Sequence, residues 1–288
     1  MEHIGIVGLG RMGSAIAQRL SANDASQVIG WTRSGRTVDG ITSAPDLASL
    51  VAQSDTILLS LFDNDAVADV LDAALALDLA GKQIIDTSTV SPRVLQDRTD
   101  QIEAAGATIV DAPIAGGPEL VLAGQCGVFM GGTDKAAEQA NLVLNRITER
   151  VFHVGPSGAG QIMKMINNGM LQVYIAGLAE LLPVAKRAGM RLDTTLKILS
   201  GGPAGLPMIA ARLPKILGED PEVGFAMSGT FKDNAIFREI VDAHGLSAPL
   251  LSTYAGFEEA MDAAGLLEED PAALVRWAYE QGGDDTVA

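Results

Sequence analysis

Lys164 and Asn168 are the two side chains in this sequence that are best suited to acid–base chemistry. They stand four residues apart in an apolar stretch, so on a helix both lie on the same face. A lysine surrounded by isoleucine and methionine is partly desolvated, which lowers its pKa toward a range useful for proton transfer. Asn168 can hold Lys164, or a substrate hydroxyl, by hydrogen bonds. Periodicity alone equally fits a lysine that extends to solvent beside a capping asparagine.

A glycine-rich turn near the N-terminus indicates a dinucleotide site. It lies between a short apolar run and a helix-like pattern, and it comprises Gly8, Leu9, Gly10, Arg11, Met12 and Gly13. Gly8 permits a tight turn, Gly10 lets the backbone approach a pyrophosphate, and Gly13 lets the helix pack on the strand. The helix N-terminus adds N–H groups and partial positive charge. The alternative is a plain tight turn in an α/β domain.

The end of the second predicted strand, residues 27–31, favours NADP over NAD. NAD-specific folds usually place an acid there for the ribose hydroxyls, and this chain has none. It has two hydroxyl side chains and two arginines instead, which are Thr32, Arg33, Ser34 and Arg36. Because arginine forks and hydroxyls suit a phosphate, we expect a pocket for the 2′-phosphate of NADP, with NADPH preferred. The alternative is that these arginines only solubilise a loop.

Strand-like and helix-like segments alternate through the first half of the chain. The predicted strands are residues 3–7, 27–31, 56–61, 83–86, 108–111 and 126–130, and predicted helices include 65–77 and 91–105. This alternation predicts an α/β fold, a Rossmann-type doubly wound parallel sheet with helices on both faces. Ligands of such sheets bind beyond the carboxyl ends of the strands. Three segments lie at or just after strand ends, namely Ser60-Leu61, Ser88-Thr89 and residues 113–117, so we expect them to converge on one crevice.

The second half of the chain has a different pattern, in which every candidate segment is typical of a helix. Residues 161–188 predict one long apolar helix that Pro183 should kink or end. We therefore expect an NADP-binding Rossmann domain over 1–160. An all-α domain over 161–288, joined to the first through the long helix, would serve substrate binding and oligomerisation.

Composition excludes several classes of function. A net charge of −16 disfavours sequence-independent binding to nucleic acid and to anionic membranes. No apolar run approaches the length of a membrane span. Cys126 is the single cysteine and the three histidines are scattered, so we expect no disulfide, no metal site and an inert buried thiol. The sequence shows no signal-peptide pattern, and we expect a cytoplasmic protein.

Four ordered motifs resemble those of the β-hydroxyacid dehydrogenase family, which includes 3-hydroxyisobutyrate dehydrogenase and the tartronate, glyoxylate and succinic semialdehyde reductases. The motifs are GLGRMG at 8–13, DAPIAGG at 111–117, GxGxxxKxxNN at 158–168, and FKD at 231–233. Ser88-Thr89 also fits the family's S-T pair after a strand. Together these motifs span nearly the whole chain.

The resemblance implies specific catalytic and binding roles for four residues of the site. Lys164 is the general acid in reduction and the general base in oxidation, and Asn168 positions Lys164 and the substrate. Backbone N–H groups of Gly116 and Gly117 bind the substrate carboxylate. The resemblance also implies a homodimer or homotetramer built through the helical half.

Further contacts to the cofactor and substrate are implied by the same resemblance. Thr89 lies near the nicotinamide and the substrate. Leu61 is assigned to the cofactor from its position at a strand end, not from the resemblance. Lys232 reaches the cofactor and the substrate from the helical domain. Asp233 and Phe231 shape the side of the site that the helical domain forms, and Asp233 is also assigned to the cofactor.

Two positions depart from the family pattern. Ala115 stands where the family has serine, so a hydroxyl that would help to hold the carboxylate is missing. Gln125 stands where the family usually has threonine. The carboxylate clamp would then depend on backbone groups and Lys232, or the substrate differs from the usual short hydroxy acids.

The expected function is an NADPH-preferring oxidoreductase that transfers hydride between the nicotinamide and a small carboxylated aldehyde or β-hydroxy acid. One alternative is an imine reductase on the same scaffold, a group that typically replaces the lysine retained here. A second alternative is a non-catalytic NADP-binding interaction module, which retention of Lys164, Asn168 and Lys232 disfavours.

Overall fold

A computed structural model gives the fold of the chain and describes residues 2–22 and 26–283. The chain divides into two compact units, Met1–Asn168 and Gly169–Ala288. Within the described residues, the strands all belong to the first unit and the second unit is built from helices. The chain therefore has the Rossmann-type α/β fold followed by an all-α unit that the sequence predicts.

The strands form one sheet in the first unit. They are β1 (Glu2–Val7), β2 (Ser26–Trp31), β3 (Thr42–Ser43), β4 (Thr56–Leu59), β5 (Gln83–Asp86), β6 (Thr108–Asp111), β7 (Ile114–Ala115), β8 (Gly127–Gly131) and β9 (Val151–Gly155). The helices around the sheet are α1 (Arg11–Ser21), α2 (Leu47–Ala52), α3 (Asn64–Leu75), α4 (Pro92–Ala104), α5 (Pro118–Leu122) and α6 (Asp134–Ile147).

A long helix, α7 (Ala159–Arg187), begins in the first unit and continues into the second. The helices that follow are α8 (Leu192–Ser200), α9 (Pro207–Leu217), α10 (Met227–Ala243), α11 (Pro249–Ala255), α12 (Glu258–Ala263) and α13 (Ala272–Glu280). Pro183 does not end α7, which runs on to Arg187. It lies near the C-terminal end of the helix, where few turns depend on the backbone hydrogen bond that proline lacks.

The order of strands in the sheet is β3-β2-β1-β4-β5-β6-β8-β7, with β9 paired to β8. Every pairing among the strands β1 to β6 is parallel. This order brings the segments that follow β1, β4, β5 and β6 to one edge, the carboxyl end, where doubly wound sheets bind ligands.

The sheet is not parallel throughout, which corrects the sequence-based expectation. The strand predicted at 126–130 is β8, and it runs antiparallel to both β6 and β7. The connection from β7 to β8 contains only the short helix α5, and a parallel crossover needs a longer helical connection. The strand β9, which the sequence analysis missed, has an exposed middle and so lacks a clear hydrophobic signal.

Alternate residues of the central strands point to opposite faces of the sheet, and each face has its own core. One core includes Ile4, Ile6, Leu58 and Ile85 and is covered by apolar residues of α1 and α6. The other includes Val7, Ile57, Leu59 and Ile84 and is covered by residues of α2, α3 and α4. Parallel strands buried on both faces give continuous apolar runs, which is why the strands were visible in the sequence.

The second unit has a separate core. It joins the inner face of α7 with residues of α8, α9, α10, α11 and α13, and its fully buried members include Leu196, Ile209, Met227, Tyr254 and Leu274.

Candidate active site

The three glycines of the turn after β1 each meet the requirement of a dinucleotide-binding turn. Gly8 has a φ of +96°, a left-handed value that favours glycine. A side chain at Gly13 would overlap the carbonyl oxygen of Gly8, so the close approach of α1 to the strand requires glycine. A Cβ at Gly10 would meet nothing within 4 Å, and Gly10 is the N-cap of α1. The open space at the helix N-terminus fits a pyrophosphate.

The intervening residues of the turn point in different directions. The Leu9 side chain is buried in the core, so only its backbone is available to a cofactor. The Leu9 carbonyl accepts hydrogen bonds from Ser14 Oγ at 3.1 Å and Arg36 Nη1 at 3.5 Å. Arg11 is exposed and Met12 is half-buried. Arg36 is thereby brought to the glycine turn.

Residues 32–36 follow β2 and form a short exposed turn. Gly35 N donates to Thr32 O at 3.0 Å, and the hydroxyls of Thr32 and Ser34 lie 3.4 Å apart. Arg33 forms an ion pair with Asp69 of α3, with Nη2 and Oδ2 3.0 Å apart. Both partners are exposed, so the pair is weak and Arg33 can exchange Asp69 for a stronger anion.

The loops after β4 and β5 are bonded to each other at the carboxyl end of the sheet. Leu61 N donates to Ser88 Oγ at 2.9 Å, and Thr87 Oγ1 donates to Leu59 O at 2.7 Å. Thr89 is half-buried beside them. The structure therefore brings Leu61 and Thr89 to neighbouring loops.

Gln161 fixes the Thr89 loop to the start of α7, a role that the sequence analysis missed. Its side chain is 1% exposed. Its Nε2 donates to Ser88 O at 2.8 Å, and its Oε1 accepts from Val90 N at 3.3 Å. The two bonds hold the backbone on either side of Thr89. The available signal was a glutamine in the first turn of an otherwise apolar helix.

Asp111 holds the N-terminus of α7. The sequence analysis placed Asp111 at the start of the DAPIAGG motif and predicted no role for its side chain. Its two carboxylate oxygens accept from Gly158 N at 2.7 Å and Gln161 N at 3.0 Å. A Cβ at Gly160 would lie 2.7 Å from Asp111 Oδ2, so this approach requires glycine. Burial raises the pKa of Asp111, although the backbone N–H bonds act to lower it.

Lys164 lies one turn after Gln161 on the same helix. Its side chain is only 6% exposed, and Nζ donates to the carbonyl of Ile114 in β7 at 2.6 Å. The lysine therefore does not extend to solvent, and its head lies beside the segment that carries Ala115, Gly116 and Gly117. Asn168, one turn further along α7, is half-buried and its Oδ1 accepts from Asn167 Nδ2 at 2.9 Å.

The glycine pair after β7 turns the chain into α5. Gly116 has a φ of +132°, and Gly117 is the N-cap of α5. The carboxylate of Glu119 lies directly against Gly117, where a Cβ would overlap both of its oxygens. This acid was not noted in the sequence, and it lies where the substrate carboxylate is expected.

Lys232 and Asp233 belong to the second unit, on α10. Lys232 Nζ and Asp233 Oδ1 lie 2.7 Å apart, and Asp233 is buried. The next residue, Asn234, donates to Gln172 Oε1 at 2.9 Å and to Leu251 O at 3.0 Å, which fixes this part of α10 to α7 and α11. The roles of Lys232 and Asp233 at a cofactor or substrate stay predictions.

Two features are absent from the part of the chain that the structure describes, a cluster of metal ligands and a membrane-spanning helix. Over residues 2–22 and 26–283, no three His, Cys, Asp or Glu side chains are grouped to hold a metal ion. Over the same residues, no helix has the length and apolar character needed to cross a membrane.

Comparison with known proteins identifies the family. Residues 3–155 match the family model described as the NAD binding domain of 6-phosphogluconate dehydrogenase. Residues 158–278 match the model described as NAD-binding of NADP-dependent 3-hydroxyisobutyrate dehydrogenase. The chain belongs to the β-hydroxyacid dehydrogenase family. As a β-hydroxyacid dehydrogenase it is an NAD(P)-dependent oxidoreductase, and its first unit is the NAD(P)-binding domain.

Relatives of this β-hydroxyacid dehydrogenase match it over nearly its full length. The 2-(hydroxymethyl)glutarate dehydrogenase of Eubacterium barkeri is 28% identical over 96% of the chain and 95% of its own length. A solved 3-hydroxyisobutyrate dehydrogenase of Mycobacterium tuberculosis, studied with L-serine, is 25% identical with a TM-score of 0.85, covering 96% of this chain and 99% of that one. A reductive aminase from Aspergillus terreus, at 19% identity and a TM-score of 0.63 over 96% and 99% of the two chains, shares the fold alone.

Proposed function

We propose that this β-hydroxyacid dehydrogenase is an NADPH-preferring enzyme that reduces a small carboxylated aldehyde or ketone, or oxidises the matching β-hydroxy acid, with Lys164 as general acid/base. The observation that carries the proposal is the buried Lys164. Its Nζ is held at 2.6 Å from Ile114 O, immediately before the glycine pair proposed to bind the substrate carboxylate.

The residues around the glycine turn fit a bound nicotinamide cofactor. Gly10 and the N-terminus of α1 would hold the pyrophosphate, since the space beside Gly10 is open. The turn at 32–36 would hold the adenosine phosphate through Arg33 and Arg36. Leu61, Thr89, Lys232 and Asp233 are proposed further contacts. NADPH, when bound, supplies a hydride to a carbonyl carbon.

Lys164 would supply the proton. An ammonium group has three N–H donors, and the bond from Nζ to Ile114 O places this group beside the proposed substrate clamp. In reduction Nζ gives a proton to the carbonyl oxygen, and in oxidation the neutral amine takes it from the hydroxyl. Asp111 and Gln161 fix the start of α7 and thereby position Lys164. Asn168 would orient the substrate hydroxyl.

The proposed pocket for the 2′-phosphate predicts that NADPH affinity falls when Arg33 and Arg36 are removed. The Arg33→Ala/Arg36→Ala variant is expected to raise the KM for NADPH by about 10- to 100-fold, because charge-assisted bonds to the 2′-phosphate are lost. The KM for NADH should change little. Steady-state kinetics with both cofactors measures this. Lys135→Ala, which removes an exposed charge on α6, is the control, and a parallel rise for NADH would contradict the phosphate pocket.

Glu119 gives a prediction about the carboxylate clamp. Its carboxylate lies against Gly117 and would repel a substrate carboxylate bound to the N–H groups there. Glu119→Gln keeps the shape and removes the charge, so the KM for a carboxylated substrate should fall about fivefold with kcat unchanged. Glu138→Gln, on an exposed part of α6, should change neither. An unchanged or higher KM in Glu119→Gln would place the substrate carboxylate elsewhere.

A substrate panel tests the proposed reaction. NADPH oxidation, followed by absorbance, is compared for succinic semialdehyde, glyoxylate, tartronate semialdehyde and methylmalonate semialdehyde, with cyclic imines in parallel. Turnover of a carboxylated aldehyde is the expected result. Turnover of imines alone would favour an imine reductase, and tight NADPH binding without any turnover would favour an interaction module.

The helical unit is also proposed to form a homodimer or homotetramer. Its part of α7 carries three large apolar side chains that are more than 60% exposed, Met170, Leu181 and Val184. Such a stripe on one helix is typical of a surface that another chain covers. Light scattering is expected to give a mass of two or four chains, and a monomer would contradict this proposal.

A further inference from the structure

A cavity of about 560 Å³ lies in the first unit, and none of its lining residues belongs to the candidate active site. We call it the arginine cleft, and the residues that matter for it are Arg19, Gly124, Gln125, Asn145, Glu149 and Arg150. Its volume lies in the range of small-molecule sites and exceeds what a single hydrated ion needs.

Arg19 is held in place at the edge of this cleft. It lies in the last turn of α1, and its Nε donates to Ile147 O at 3.2 Å. Its guanidinium lies against Gly124, where a Cβ would come within 2.6 Å of Nη2. Gly124 also has a φ of +71°, so two separate constraints favour glycine there. The bond to Ile147 uses Nε and leaves the two terminal nitrogens for a ligand.

The arginine cleft is positively charged in a strongly acidic protein. Arg19 and Arg150 line it against one carboxylate, Glu149, while the whole chain has a net charge of −16. Within the part of the chain that the structure describes, neither arginine forms an ion pair. Arg19 is partly buried and Arg150 is exposed, so the cost of a buried guanidinium without an anion applies to Arg19, and a bound anion would remove that cost.

The electrostatic surroundings of the buried Cys126 thiol agree with this placement of the two arginines. Burial raises the pKa of this thiol, while the positive charges of Arg19 and Arg150 act to lower it. Both guanidinium groups are therefore within electrostatic reach of one buried atom. Gln125 and Asn145 add amide donors to the lining. Gln125 is one of the two residues that depart from the family pattern, and it has no role in the proposed reaction.

We propose that the arginine cleft is a second ligand site, which binds the phosphate group of a small phosphorylated metabolite. Two guanidinium groups and two amides supply the donors that a phosphate accepts. The remaining volume accommodates the carbon skeleton to which the phosphate is attached. This site is separate from the cofactor and substrate sites and does not depend on the proposed reaction.

The experiment must separate this site from the phosphate pocket proposed at Arg33 and Arg36. All titrations therefore use the full chain with Arg33→Gln/Arg36→Gln as background. Glycerol 3-phosphate and inorganic phosphate are titrated by calorimetry, with glycerol and citrate as the arms that lack a phosphate. We expect both phosphates to bind, with glycerol 3-phosphate binding more tightly than inorganic phosphate. Citrate should bind more weakly than either, and glycerol should give no heat of binding.

Adding Arg19→Gln and Arg150→Gln to that background should weaken glycerol 3-phosphate binding by at least about tenfold. Arg150→Gln alone should also weaken it, and this variant leaves the bond between Arg19 and Ile147 in place, so its fold is not at risk. Lys135→Gln removes one exposed charge of α6 and should have no effect. The proposal is overturned if no phosphate binds, if citrate binds as tightly, or if Arg150→Gln and Lys135→Gln behave alike.

Discussion

A Lys164→Ala variant is expected to lose about 10²- to 10⁴-fold in kcat while its affinity for NADPH is unchanged. The loss follows from the position of Nζ, which is buried and bonded to Ile114 O, beside the proposed substrate clamp. Without it, the carbonyl oxygen has no proton donor as negative charge develops on it. Steady-state NADPH oxidation measures the loss, and a fluorescence titration of NADPH measures binding separately.

Lys82→Ala is a matched control for this variant. Lys82 is half-buried and its Nζ donates to the carbonyl of Ser54 at 2.7 Å, so its removal breaks the same kind of bond at a different position. It should leave kcat unchanged. Turnover retained by Lys164→Ala, or an equal loss in Lys82→Ala, would refute Lys164 as the proton donor.

Local features of the chain were predictable because local physics determines them. The spacing of Gly8, Gly10 and Gly13 between an apolar run and a helical pattern reflects a backbone turn and one close packing contact. The buried strands gave apolar runs because both faces of the sheet are covered. Strand ends were less accurate. The strand predicted at 56–61 ends at Leu59, since Leu61 N leaves the sheet to bond Ser88 Oγ.

Features that depend on distant partners were not predictable. Asp111 is bonded to Gly158 and Gln161, which are 47 and 50 residues away along the chain. Gln161 is bonded to Ser88, 73 residues away. No periodicity encodes which carboxylate or amide will meet which backbone group. The antiparallel pairing of β7 and β8 has the same origin, because pairing direction depends on the path of the connection.

The position of Lys164 therefore depends on Asp111, a residue to which the motif alone gave no role. The variant Asp111→Asn tests that dependence. An asparagine has one acceptor oxygen, so its NH₂ group would face either Gly158 N or Gln161 N, and one buried N–H would lose its partner. We expect a loss of about 2–4 kcal/mol in the free energy of unfolding. We also expect a lower kcat, because the start of α7 carries Gln161 and Lys164. Urea unfolding and steady-state kinetics measure the two effects.

The pH dependence distinguishes this effect from a simple capping loss. Burial raises the pKa of Asp111 above its usual 3.8. At a pH between 3.8 and the raised pKa, the folded chain therefore holds a proton that the unfolded chain has released. The stability that this group contributes is therefore fully present below pH 3.8 and falls as the pH rises through the raised pKa. Asp111→Asn lacks this fall, so the gap between wild type and variant should be wider on the acidic side.

The control for Asp111→Asn is Asp46→Asn. Asp46 is the exposed N-cap of α2 and accepts from Ser49 N at 2.7 Å, and asparagine caps a helix as well as aspartate. This variant should keep its stability and its kcat. If Asp111→Asn is equally harmless, Asp111 does not hold α7, whereas a stability curve parallel to that of the wild type would show that folding leaves the pKa of Asp111 unshifted. In the first case Lys164 must be positioned by Gln161 and by the packing of α7 alone.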